Sequence, residues 1–194
     1  MATQQQHSDS LIGSQMPFLL RLRDWVFGNE KPDMYTQASF YMNMIIWFIF
    51  FFWSIASYAA ITFRQLIFEQ KNIPVELIIK ARGIKLGFEP SDFLDRLLTF
   101  HAISIICWLA VFVGLVMMWR KDLRFVYFHF GGTLFYFGML IFYLSFGYYK
   151  EDTTFFDKVT FLAMNVNAVM YYILLKREKS GGSLSFFGEE DDEE

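Results

Sequence analysis

Few side chains in the apolar stretches of this sequence have metal-binding or reactive chemistry. His101 and His129 are the candidates, because neutral imidazole is a common ligand for metal ions and haem iron. Each stands near the start of a long apolar run, and the two runs are consecutive, so their helices cross a membrane in opposite directions. The imidazoles are therefore expected towards opposite faces, roughly 20 Å apart along the normal at 1.5 Å per residue. One iron cannot take both. Either could serve a cofactor only with a ligand from another chain, and the plainer expectation is an interfacial imidazole bonded to a carbonyl or headgroup.

The rest of the reactive inventory is thin. Cys107 is the only cysteine, so neither an intrachain disulfide nor zinc or iron-sulfur spacing is available. No phosphate-cradling glycine loop and no nucleophile elbow occurs. Gly83 and Gly87, four residues apart, lack a flanking strand and read as turn formers. The expectation is no catalytic residue, no metal and no cofactor: a chain that is not itself an enzyme, whatever complex it serves.

The elements that hold these residues are set by apolarity. Of 194 residues, 55% are hydrophobic and 21% aromatic, above the roughly 45–50% apolar share of a soluble domain. Windows of about 20 apolar residues, enough to cross a 30 Å hydrocarbon layer, lie at Phe40–Phe63, Leu97–Trp119, Phe125–Tyr149 and Val159–Leu175. The fourth is short and is expected to begin upstream, near Phe155. Unsatisfied backbone groups are too costly in hydrocarbon, so all four are read as helices. None of the windows contains Lys, Arg, Asp or Glu, which removes the usual marks of ion paths and proton relays.

The predicted fold is an all-α membrane protein with four transmembrane helices and one or two interfacial amphipathic helices. Residues 1–38 form a polar start with an amphipathic segment at Met16–Phe27, and 39–175 the membrane domain. Within it, 64–96 is an extramembrane connection with a second amphipathic stretch at Val75–Ala81. Ser91 is the expected N-cap of the second span. Residues 176–194 form a flexible acidic tail in which Phe186 and Phe187 could dock on a neighbour. No signal peptide is expected, since the start has no Lys or Arg before Arg21. Arg120, Lys121, Arg124, Lys176, Arg177 and Lys179 flank spans on the side of both termini, which favours the cytoplasm or matrix for that side.

Small and polar residues in the spans read as packing seams. Gly131, Gly138 and Ser145 recur every seven residues, and Cys107, Ala110 and Gly114 form a comparable stripe. Asn165 and Asn167 lie about 200° apart around one helix. If one faces the bundle, the other needs a partner helix or a headgroup-level position.

These features point to a non-catalytic accessory or structural subunit of a larger membrane complex, with other membrane subunits and lipids as partners and no nucleic acid. A bacterial or mitochondrial inner membrane, and an energy-converting complex within it, are favoured by analogy of architecture alone. The alternatives are a small transporter or channel for a neutral solute, and a haem-binding electron-transfer component sharing ligands with another chain.

Overall fold

The computed structural model describes Gly28 and residues 31–180; the expected amphipathic segment Met16–Phe27 and the tail with Phe186 and Phe187 lie outside them. Six helices follow in order: α1 Met34–Thr62, α2 Arg64–Lys71, α3 Val75–Lys85, α4 Pro90–Trp119, α5 Phe125–Glu151 and α6 Phe155–Lys179. The described part is all-helical, and α1, α4, α5 and α6 are each long and apolar enough to cross a membrane. The shortest of the four has 25 residues, about 38 Å at 1.5 Å per residue.

Local chemistry sets most helix ends. Asp33 caps α1 by accepting from the Thr36 amide at 3.0 Å. Asn72, at φ 57°, closes α2 in the left-handed conformation that asparagine tolerates. Thr154 and Asp157 form a reciprocal capping box that starts α6 at Phe155, upstream of its most apolar stretch. Two expected ends move. Pro90 opens α4 with Glu89 as N-cap, leaving Ser91 inside the first turn, because the fixed φ of proline suits the first helical position. Gly83 lies within α3, where a Cβ would come 2.7 Å from Phe93, so it serves close packing; Gly87, at φ +83°, makes the turn.

The four long helices form a closed ring in the order α1, α4, α5, α6, each packed on its two neighbours. The tightest contact is between α4 and α5. A Cβ on Gly114 would lie 2.9 Å from the His129 amide nitrogen, and one on Gly132 would lie 2.6 Å from Val111 and 2.9 Å from the Cys107 carbonyl. Only glycine permits this backbone approach. On the other side of α4, the Trp47 indole donates to the Trp108 carbonyl at 2.7 Å, tying α1 to α4. Phe50 then stacks on the fully buried Trp108 ring at 5.1 Å, and Tyr136 packs against it tilted at 4.9 Å.

The expected seam on α5 takes a different position. Gly131 and Gly138 are exposed, and a Cβ on either would meet nothing within 4 Å. At 100° per residue they lie opposite the buried face formed by Phe125, His129, Gly132, Thr133 and Leu140. Ser145 breaks the helix with φ 72° and ψ 163°, a strained conformation for a residue with a Cβ. The close approach within the chain is made by Gly132 instead, meeting Cys107 and Val111 on α4, while Gly114 of α4 meets the backbone of Phe125 and His129 and Ala110 is half-buried.

Charged clamps hold both ends of the ring. At the end carrying the α4–α5 turn, Lys121 takes φ 53° and closes α4 in a Schellman arrangement, with the Asp122 amide donating to Met117 and its own amide to Met118. Its ammonium reaches Asp33 at 2.7 Å and Glu178 at 2.8 Å, joining α1, the turn and α6. Burial opposes ionisation of Asp33, but hydrogen bonds from Lys121 and Thr36 outweigh it and hold the carboxyl at about 2. At the other end, Arg82 of α3 pairs with Asp152 between α5 and α6.

Two measurements test this packing. Gly132→Ala is expected to cost about 1–3 kcal/mol through overpacking and to lower the unfolding midpoint in detergent, whereas Gly131→Ala, with open space for its methyl group, leaves the midpoint the same or raises it through helix propensity of up to about 1 kcal/mol; equal losses would refute the α4–α5 contact. The folded-state pKa of Asp33 lies below its ordinary value of 3.8, so its contribution is present above that pH and is lost as pH falls towards 2. With the pair about a third exposed, that contribution is at most about 1 kcal/mol. Asp33→Asn should flatten the acid limb of stability below pH 4; an unchanged limb would show that the clamp is not coupled to folding.

Candidate functional site

The polar groups inside the bundle are distributed along the ring. α6 presents Met164, Ala168, Tyr171 and Leu175 as its buried stripe. Asn165 and Asn167 flank that stripe on either side, so each faces a neighbouring helix. The Thr133 hydroxyl of α5 donates to the Asn165 side-chain oxygen at 3.0 Å, and the Asn165 amide donates to the Phe161 carbonyl at 2.8 Å. The Asn167 amide donates to the Ser39 carbonyl of α1 at 3.0 Å. The expectation that one of the two must look outside the chain is therefore corrected. A helix between two neighbours in a ring has two protein-facing flanks, and a pair about 160° apart through the buried stripe can occupy both.

The same end of the bundle holds a polar chain that runs inward from the surface clamp. Thr36 donates to Asp33 at 2.7 Å and lies 3.2 Å from the Tyr171 hydroxyl, which donates to the Met118 carbonyl at 3.0 Å. Deeper, the fully buried Asn43 sends its amide to the Met118 sulfur at 3.8 Å, a weak acceptor, while its oxygen has no partner among the described residues. Spacing alone did not single out Asn43. An asparagine in the first apolar window was a legible signal, since a buried amide needs a partner.

The two histidines fall where helix direction requires. The backbone of His129 lies against Gly114, thirteen residues along α4 from His101, which separates them by about 20 Å. His129 is fully buried, neither ring nitrogen has a hydrogen-bond partner among the described residues, and it offers no open edge to a group held by a second chain. His101 is 6% exposed and its Nδ1 likewise lacks a partner. No group of three or more His, Cys, Asp and Glu that could hold a metal ion occurs among the described residues. Cys107 is buried and reduced, with its carbonyl turned to Gly132.

Two features remain open on the outside. One is the outer face of α5, where exposed Phe128, Phe135 and Phe142 alternate with Gly131 and Gly138 at spacings of three and four. The other is a cleft of about 420 Å³ between α2 and α3, lined by Arg64, Gln65, Phe68, Glu69, Pro74 and Leu77 among others. Arg64 and Lys80 both bond Glu76 there, and they hold its carboxyl below the ordinary value.

Replacing Asn165 or Asn167 with Leu should cost about 0.5–1.7 kcal/mol each, the range for interhelical hydrogen bonds in membranes. Thermal unfolding should register both losses while the size of the detergent-extracted particle stays the same. A change of particle size with no loss of stability would mean that the amides serve an outside partner.

No protein-family model matches the chain, and no curated protein or solved structure matches it, so a functional reading rests on the geometry above.

Proposed function

We propose that the chain is a non-catalytic packing subunit of a larger membrane assembly, and that it meets a neighbouring membrane subunit through the outer face of α5. The single observation that supports this is the composition of that face. Lipid contact needs no glycine in a helix, and an exposed glycine gives up helix propensity of about 1 kcal/mol relative to alanine. Glycine on a membrane helix instead lets another backbone come close. Here Gly131 and Gly138 have no neighbour within the chain, and phenylalanines stand between them in heptad register, as knobs beside holes.

The interior supports the same reading. The ring is filled by Trp108, Val111, Leu115 and Met164, all fully buried, and not by the polar lining that a solute path would use. The asparagines no longer contribute, since both are satisfied within the chain. A bacterial or mitochondrial inner membrane is the proposed setting, with the Lys121 end of the bundle on the cytoplasmic or matrix side.

Extraction of the full chain from native membranes in mild detergent, with site-directed cross-linking from α5, tests the proposal. A particle larger than the chain and cross-links from positions 131 and 138 are expected. Gly131→Leu with Gly138→Leu should lower recovery of the cross-linked partner roughly threefold or more while leaving the unfolding midpoint intact. A monomer without cross-links from this face would sink the idea.

A further inference from the structure

The α2–α3 corner has the form of a small-molecule site. Its cleft of about 420 Å³ falls within the range of ligand pockets. None of the eight residues of α2 is buried, and Phe68 and Leu77 stand half or more exposed at its rim. The described residues do not fill the space between the two helices.

Depth identifies the surroundings. α1 ends at Thr62, and Arg64 and Glu69 follow by two and seven positions, at most about 3 and 10 Å further out at 1.5 Å per residue. The headgroup layer on each side of a bilayer is about 5–8 Å thick. The cleft thus opens within and just above the headgroups. On the last two turns of α1, towards the bilayer interior, Ile55 and Tyr58 are exposed.

The charges in the cleft are divided. Arg64 donates through Nε to Glu76 at 3.1 Å and through Nη1 to the Ile61 carbonyl at 3.1 Å, which leaves Nη2 without a partner among the described residues. With Lys80 also on Glu76, the group Arg64, Lys80 and Glu76 carries one net positive charge. One turn on, Glu69 is exposed and makes no ion pair among the described residues, with Phe68 beside it. A positive pole near the membrane and a negative pole with an aromatic ring further out match a phosphate followed by an ammonium group, in the order a phospholipid presents them. Guanidinium suits the phosphate, and carboxylate with an aromatic face suits the ammonium.

We propose that the cleft between α2 and α3 binds the headgroup of a zwitterionic phospholipid, with phosphate at Arg64, ammonium at Glu69 and Phe68, and acyl chains along the outer side of α1. The site is independent of the α5 face. α3 keeps it open, because Arg82 pairs with Asp152 and Gly83 packs on Phe93, fixing the far wall to the bundle.

Native mass spectrometry of the full chain in mild detergent, titrated with phosphatidylethanolamine, phosphatidylglycerol or water-soluble glycerophosphoethanolamine, tests the site. Phosphatidylethanolamine should be retained several-fold better than phosphatidylglycerol, and the soluble headgroup should not be retained. Glu69→Gln and Phe68→Ala change exposed side chains, and each should reduce the preference roughly two- to fivefold, the scale of a partly exposed charge contact. Circular dichroism of both variants checks that the helices persist. Equal retention of the two lipids, a preference that survives both substitutions, or retention of the soluble headgroup as tight as that of the lipid would each overturn the proposal.

Discussion

The contact on which the bundle depends is the backbone approach of α4 and α5 at Gly114 and Gly132. In hydrocarbon no difference in water affinity draws two apolar helices together, so close packing and interhelical hydrogen bonds must do so. Here the helices come near enough that a single methyl group would strike a backbone amide or carbonyl. This contact fixes the rotation of α5. His129 is driven into the interior, Thr133 is turned to Asn165, and the face with Gly131 and Gly138 is turned away from the bundle. A rotation of one residue, 100°, would exchange the inner and outer glycines and dismantle all three arrangements.

The remaining helices are held by polar bonds placed where water cannot compete. Trp47 bonds the Trp108 carbonyl, Asn167 bonds the Ser39 carbonyl, and Tyr171 bonds the Met118 carbonyl. Each acceptor is a backbone oxygen of another helix, in the first two bonds a neighbour in the ring and in the third the helix across it, so each bond sets the depth of one helix against another. The ends are closed by charge: Lys121 gathers Asp33 and Glu178 at one end, and Arg82 reaches Asp152 at the other. The clamp residues sit at or beyond the span ends, where charged groups can keep part of their hydration.

Both proposals concern the outside of the molecule. The ring is closed, its centre is packed with large side chains, and its polar groups are spread along helix contacts instead of converging on one point. The proposals rest on the phenylalanine and glycine face of α5 and on the divided charges of the α2–α3 cleft. One faces the lateral plane of the membrane and the other its surface, and the two proposals for them stand separately.

The number of spans, their helical state and the upstream start of the fourth were all legible in the sequence, because hydrocarbon thickness and the cost of unsatisfied backbone groups act locally. The separation of His101 from His129 was legible too, since it follows from helix direction and rise alone. Which glycine of the Gly131–Gly132 pair packs inward was not, because a seven-residue repeat marks a stripe without saying which way it faces. Nor could the opposed asparagines be assigned, because in a ring a helix has two protein-facing sides, and ring order is a property of the whole chain. Periodicity along one helix determines which residues lie together; only the neighbours on either side decide whether that face meets protein or lipid.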